Sequence, residues 1–419
     1  MNTWRPTPAL VTSAAVSGGL LILAVLASNP GLVVLATPLV AITIWSILTR
    51  PTSHPRVGTI RTSRQTTEGV VQQWSARIEG LEGSESVHAA TRSGAQVRCD
   101  PATGVLVATP TDGSATLTMT WAARRWGLAD VGTGSCVASS AWSGFRAGPL
   151  ELLPVRVRVI PAVPPFAITG GAPRPAGLIG QNRSVRRGDG SEFADLRLYQ
   201  HGDRLRRIHW PISARTGQLH VRTTHAELDS EILLVLDAQE EYGDSATETG
   251  TSLDVGVRAC AAMSAHLLQR GERVGLRVLS STSAGRVRSA GGAGQLRRIL
   301  HELSGVRAGA LGPTGTAARH RIEGSRGTLI VVVSPVIGTV ASTLAAGAAQ
   351  RGLPTVLIDC LPSSTAGGDV AHRLSMLERQ VQMHRLQHRG LAVVPWRGPG
   401  SLDPVLQRMG AAGVGSRRR

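Results

Sequence analysis

The stretch Gly188–Ala238, GDGSEFADLRLYQHGDRLRRIHWPISARTGQLHVRTTHAELDSEILLVLDA, decides how this chain is read. Its first part alternates. Phe193, Asp195, Arg197 and Tyr199 fall on one face of an extended segment, and Ala194, Leu196 and Leu198 on the other, because successive strand side chains point to opposite sides. Gly202 and Asp203 supply a turn, and Arg206, Ile208 and Trp210 continue on a second extended segment that Pro211 ends. Arg215, Thr216 and Gly217 turn the chain again, and Leu219 and Val221 then alternate with His220 and Arg222. The expectation is a small β-rich platform over residues 180–230 with an Arg-bearing face. A buried guanidinium without a partner is costly, so Arg197, Arg206, Arg215 and Arg222 call for carboxylates, for which Glu192, Asp195, Asp203 and Glu227 stand ready. His209 and Ser213 join this polar network as hydrogen-bonding groups, and Trp210 is expected to anchor a core.

The platform runs into EILLVLDA, an apolar segment of the kind that is buried on both faces of a sheet. From there to the end, over 231–419, apolar strands alternate with helix-length segments. RVGLRVLS, TLIVVVSP, TVLIDC and LAVVPW are the further strands, and 251–270, 293–304, 338–351 and 370–389 the helices. That order predicts a doubly wound α/β domain with a parallel sheet. Such sheets bind ligands beyond the carboxyl ends of their strands, which directs attention to Asp237, Ser334 and Asp359.

Upstream the pattern is different. Residues 9–27 and 31–48 are apolar runs without a charged side chain, and each can cross a hydrocarbon layer of roughly 30 Å as a helix. Ser28, Asn29, Pro30 and Gly31 break them apart, so residues 1–50 are expected to form a transmembrane helical hairpin. Arg5 precedes the first run, and Arg50 and Arg56 follow the second. By charge bias both ends face the cytoplasm, which gives a two-pass plasma-membrane protein with its bulk cytoplasmic. Over 57–160 short alternating segments separated by turn residues predict an immunoglobulin-like β-sandwich, with Trp126, Trp142 and Phe145 as packing residues. A Pro/Gly linker follows at 161–179.

Composition narrows the function classes. The formal charge is +17, and every basic residue is Arg rather than Lys. Aromatic content is only 3%, and no basic run is interleaved with stacking residues, which argues against specific nucleic-acid binding and for apposition to anionic lipid. Cys99, Cys136, Cys260 and Cys360 are widely spaced, which signals neither zinc nor a disulfide framework. GDGSEF lacks the preceding strand and following Gly-Lys of a phosphate loop, and no nucleophile elbow is present.

The run from Gly188 through Arg222, followed by Glu227 and LLVLDA, resembles the signature of the bacterial domain of unknown function 58 family, and the hairpin, β-rich module and Pro linker match that family's usual order. The resemblance implies a von Willebrand factor A-like C-terminal domain and a MoxR-type AAA+ ATPase as partner in a chaperone or assembly system. It also implies a possible divalent-ion site, because von Willebrand factor A domains hold Mg²⁺ through Asp-x-Ser-x-Ser after the first strand. Here the positions read Asp237, Gln239 and Glu241, with Ser334 ending a later strand. Both serines are replaced, and the longer arms would displace a hard cation, so no cofactor is expected. The functional expectation is a non-catalytic, membrane-anchored scaffold or adaptor whose Arg-rich β platform and C-terminal domain bind a protein partner. The alternative is a metal-assisted hydrolase of cell-envelope or nucleotide material that uses His209 or Asp237.

Overall fold

In a computed structural model the chain divides into two compact units, Met1–Ala162 and Val163–Arg419. The described residues are 3–163, 183–200, 205, 208–227, 231–245, 247, 250–283, 285–310, 328–362 and 370–396.

The first unit opens with β1 (Arg5–Pro6), α1 (Pro8–Leu26) and α2 (Pro30–Leu48). Each helix starts in the manner its sequence dictates. Thr7 and Asn29 accept hydrogen bonds from Leu10 N and Gly31 N, and a proline occupies the first turn, where its missing N–H costs nothing. The helices meet along a seam of small and polar groups. Leu10, Ser17 and Ala24 are buried at seven-residue spacing on α1, Ala36 and Ser46 are buried on α2, and Ser13 Oγ lies 3.0 Å from Thr43 Oγ1. Most of the remaining surface is exposed and apolar, with Val25, Leu26, Val34 and Leu48 each more than 70% accessible. Two such helices are compatible with a two-pass membrane protein.

The β-rich module follows as β2 (Arg56–Arg61), β3 (Gln65–Thr67), β4 (Val71–Glu79), β5 (Ser84–Arg92), β6 (Val97–Asp100), β7 (Val105–Ala108), β8 (Ser114–Ala123), β9 (Gly127–Val131), β10 (Thr133–Ser140), β11 (Phe145–Leu152) and β12 (Val155–Ile160). Its sheets have the orders β1-β11-β10-β5-β7, β2-β4-β8-β6 and β3-β12-β9. They share one core, built by the alternation visible in the sequence. Trp74, Ala76 and Ile78 of β4 stand opposite Met119, Leu117 and Ala115 of β8, all buried. β5 and β10 carry the weakest sequence signal among its longer strands. Their small and polar residues (SESVHAATR, TGSCVASS) lack the apolar beat, yet they pair along their whole length. Trp126 and Phe145 are buried as expected, but Trp142 is 69% exposed, a correction taken up below.

A second correction to the isolated-module picture is that residues ahead of α1 belong to the module. Arg5 and Pro6 pair with Arg146 and Phe145, Thr7 N donates to Gly144 O at 3.0 Å, and Trp4, 6% exposed, sits in the module core with its Nε1 donating to Ser53 O at 2.8 Å.

The second unit begins with β13 (Arg183–Leu198), α3 (Trp210–Thr216) and β14 (His220–Glu227), in which β13 and β14 form an antiparallel ribbon. The linker expected at 161–179 lies outside the described residues from 164 onward. Then come β15 (Glu231–Asp237), α4 (Ser252–Gln269), β16 (Arg273–Leu279), β17 (Arg286–Ala290), α5 (Ala293–Leu303), β18 (Leu329–Ser334), α6 (Val340–Gln350), β19 (Thr355–Asp359), α7 (Val370–His388) and β20 (Ala392–Pro395). The sheet order is β17-β16-β15-β18-β19-β20; β17 alone runs antiparallel to its neighbour, at the edge. Its sequence RVRSA is only partly buried, so it carries no apolar run to announce a strand. Helices cover both faces. Val235, Val332 and Leu357 pack in one cluster with Ala341, Leu344 and Ala345 of α6. Leu236 and Val333, which point the other way, meet α4 at Gly256, where an added Cβ would lie 2.9 Å from Leu236 Cδ1.

The expected second extended segment ending at Trp210 is corrected. Trp210–Thr216 is helical, because Pro211 falls in the first turn, where its fixed φ helps a helix start. Gly217, with φ of 72°, ends it in the left-handed conformation. Trp210 is 64% exposed rather than a core anchor.

Replacing Gly132 tests the β core. Its φ is +77°, and an added Cβ would lie 2.3 Å from Trp74 Nε1. Gly132→Ala should lower stability in urea by about 2–4 kcal/mol, the sum of overpacking and left-handed strain. An unchanged midpoint would mean that Trp74 does not seat there.

Candidate functional site

Two regions were singled out by sequence, and the structure treats them differently. In the platform, His209 precedes α3 and its Nδ1 accepts from Ile212 N at 3.4 Å, so the imidazole serves as the helix cap. Ser213, 6% exposed, ties the element together: its Oγ donates to His209 O and accepts from His220 N, both at 2.9 Å. His209 N in turn donates to His220 O at 2.8 Å. This is a local bracket that docks α3 on β14. The His220 ring lies against Gln218 O and Thr216 Oγ1 at 2.8 and 3.2 Å.

The expected guanidinium residues are dispersed over these elements. Arg197 on β13 is half-buried, stands opposite Val221, and donates through Nη1 to Leu198 O at 3.1 Å. Arg222 is exposed on β14 opposite Leu196, and Arg215 is exposed in the last turn of α3, where a cation complements the helix terminus. Glu192 and Glu227 are placed by backbone only, within β13 and β14, and Asp203 and Arg206 lie outside the described residues.

The second region is the carboxyl edge of the large sheet. Asp237 ends β15 beside the end of β18, which brings its carboxyl to Ser334. Ser334 Oγ donates to Asp237 Oδ2 at 2.7 Å and accepts from Val336 N at 3.0 Å. Asp237 Oδ1 accepts from Gln239 Nε2 at 2.9 Å and Gln239 N at 3.3 Å. Asp237 is 6% exposed, and burial raises its pKa against the opposing pull of the Ser334 and Gln239 hydrogen bonds, with Glu240 adding to the rise.

Glu241 turns away from this group: its Oε1 accepts from Thr251 Oγ1 at 2.5 Å. Thr251 also caps α4 in a reciprocal box with Asp254, both of them buried. Further along the edge, Asp359 accepts from Leu361 N at 3.1 Å and pairs with Arg379 of α7, whose Nε donates to Pro335 O at 2.8 Å. Sequence reading missed that α7 is pinned to the edge by Arg379. The Thr251-x-x-Asp254 signature of the capping box, by contrast, was visible in the letters.

A divalent ion does not fit this arrangement. Both Asp237 oxygens are taken by donors and the Gln239 amide presents N–H to the carboxylate, whereas a hard cation needs free anionic oxygens. Among the described residues no three His, Cys, Asp or Glu side chains converge as a ligand set. Cys260 and Cys360 are fully buried near this edge, and burial pushes both thiols well above the ordinary range, which makes them inert core groups.

Comparison with known proteins places these features. Residues 195–375 match the family described as "Protein of unknown function DUF58", a range that takes in α3, Asp237 and Ser334 and leaves out α1, α2 and the β-rich module. The chain is also 31% identical over 170 residues to uncharacterized proteins of Mycobacterium tuberculosis and Mycobacterium bovis, covering 39% of this chain and 52% of each relative. It therefore spans about half the length of the curated relatives it matches.

The buried carboxyl carries a signed pH prediction. A carboxyl whose pKa is raised on folding keeps its proton in the fold at pH values where the unfolded chain has lost it. Its contribution is therefore fully favourable only below the unfolded value of about 4 and declines as pH rises through the folded value. Asp237→Asn should remove this slope, raising Tm relative to the parent more at about pH 8 than below the unfolded value of about 4. Parallel Tm curves for the two proteins would contradict the raised pKa. Ser213→Ala, which deletes two of the three hydrogen bonds of the α3 bracket, should cost about 1–2 kcal/mol, read as a shift in the unfolding midpoint.

Proposed function

We propose that this chain is a membrane-anchored adaptor that presents its C-terminal unit to a protein partner and performs no chemistry of its own. In this reading α1 and α2 span the plasma membrane, the immunoglobulin-like β module stands next to the bilayer, and the C-terminal unit is a von Willebrand factor A-like domain on the cytoplasmic side. Two observations support an anchor over a removable signal. Trp4 is buried in the module core, and Arg5–Pro6 form a strand of it, so cleavage after α1 would strip the module of its own parts. The charges flanking the hairpin, Arg5, Arg50 and Arg56, favour both ends on the cytoplasmic face.

The observation that carries the adaptor reading is the outer face of α7. Val370, Leu374, Leu377 and Val381 recur at helical spacing and are 76%, 56%, 59% and 49% exposed, a continuous apolar stripe of the sort that marks interaction surfaces. Beside it a groove of about 700 Å³ runs between α6 and α7. The small residues Thr343, Ala346 and Gly347 line one wall, Leu377 and Val381 the other, and Glu378, Arg385 and Arg389 stand along it. Small residues allow close backbone approach, so the groove suits an amphipathic helix, and the two guanidinium groups, outnumbering the one carboxylate, favour one with acidic flanks. The family resemblance makes a MoxR-type AAA+ ATPase the protein that would supply it. What favours an adaptor over a hydrolase is that His209 is committed to capping α3 and Asp237 is saturated by Gln239 and Ser334.

The test is co-purification from membranes of a MoxR-type ATPase from the same organism with the full-length protein and with a Leu377→Glu, Val381→Glu double variant. The expected result is capture by the parent and loss by the variant. Equal capture by both would remove α7 as the docking face.

A further inference from the structure

The loop between β10 and β11 holds a tryptophan where the fold of the module gives it no use. Ala141–Ser143 form a single 3-10 turn, and Trp142 and Ser143 both have positive φ, 55° and 54°. Side chains other than glycine rarely adopt this conformation, and bulky ones least of all, so the surrounding structure must impose it.

The contacts that impose it come largely from the two apolar helices. Thr7, the cap of α1, donates through Oγ1 to Ser143 O at 2.8 Å and through N to Gly144 O at 3.0 Å. Ser46, in the last turn of α2, lies so close to Gly144 that an added Cβ would sit 2.7 Å from it. From the module, Glu85 Oε2 accepts from Trp142 N at 3.0 Å. The loop is thus clamped between the cap of one apolar helix and the last turn of the other. That is the level at which a hydrocarbon-spanning pair would emerge into the lipid headgroups. The Trp142 side chain, held there, is 69% exposed, and Trp45, one turn before the end of α2, is 56% exposed. Arg50 follows at the same level, its guanidinium 5.2 Å from the Phe145 ring.

We propose that Trp142 is a lipid-binding residue, whose indole enters the headgroup and upper acyl region of the bilayer beside α1 and α2 and fixes the β module against the membrane. An indole has an apolar body and one N–H, which suits that boundary better than water or hydrocarbon. The exposed carboxylate beside the loop, Glu85, opposes attraction to anionic headgroups, so the anchor works through burial of the ring rather than through charge. The strained backbone is what holds the ring outward. The proposal rests on the membrane reading of the two helices.

The experiment uses the full-length protein in nanodiscs of phosphatidylcholine, either plain or brominated on the acyl chains near the headgroup, with tryptophan fluorescence as the readout. Trp142→Phe and Trp45→Phe variants isolate each residue's emission by subtraction. Trp142 is exposed, so its conservative replacement leaves the core intact. The Trp142 component should be blue-shifted and lose intensity in brominated discs to the same degree as the Trp45 component, with no response to salt. If the Trp45 component is quenched and the Trp142 component is not, the loop stands clear of lipid and the proposal fails while the hairpin remains in the membrane. If neither is quenched, the membrane reading and the proposal fall together.

Discussion

The first unit depends on a short piece of antiparallel pairing. Arg5 and Pro6 lie along Arg146 and Phe145 of β11, with Thr7 bonded to Gly144 just beyond. Because the chain then leaves into α1 and returns through α2, this pairing forces both open ends of the helical pair to the same side and makes the module a continuation of the hairpin. Two helices of matched length joined by the short connection at residues 27–29 return the chain to its starting level by geometry alone. The pairing converts that geometry into a fixed attachment. It also supplies the constraint under which Trp142 is held in a left-handed turn, since the carbonyls of Ser143 and Gly144 are committed to Thr7.

In the second unit the comparable constraint is the carboxyl edge of the parallel sheet. Parallel strands aim their ends at one edge, where polar groups are both needed and costly. Here those groups satisfy one another: Asp237 with Ser334 and Gln239, Glu241 with Thr251, and Asp359 with Arg379. An edge closed in this way ties β15 to β18, the loop after β15 to α4, and β19 to α7. The polar groups at the position where sheets of this topology usually bind ligands are thus engaged with one another, and the exposed apolar surface lies elsewhere, on the outer face of α7. There, four apolar side chains remain in contact with solvent.

The elements most legible in the sequence were those whose burial is repetitive. The two apolar helices, the buried strands EILLVLD and LIVVVS, and α4, α5, α6 and α7 all lie within a residue or two of the segments expected from periodicity. The elements least legible were held by pairing alone. β5, β10 and β17 are polar or small in composition and are strands because a neighbour's backbone donors and acceptors lie alongside. Trp210 and Trp142 misled for a related reason. A large aromatic side chain predicts burial on average, but a proline in the first turn of α3 and a clamp on a loop placed these two outside. In the candidate sites, the convergence of Asp237, Gln239 and Ser334 followed from strand order, whereas the Glu241 contact with Thr251 and the pinning of α7 by Arg379 did not.

What this amino-acid sequence determined by itself is therefore the set of faces: which segments must hide from water, which can turn, and which strand ends share an edge. These follow from periodicity and backbone chemistry acting over a few residues. What only the tertiary structure decided is which hydrogen-bonding capacity is spent and which is left. Asp237 has no open oxygen, His209 is a helix cap, and Trp142 is held outward because residues 5–7, 46 and 85 meet its loop from distant parts of the chain. Contacts of that range carry no local signature, since the free energy that selects them arises only when the whole module closes.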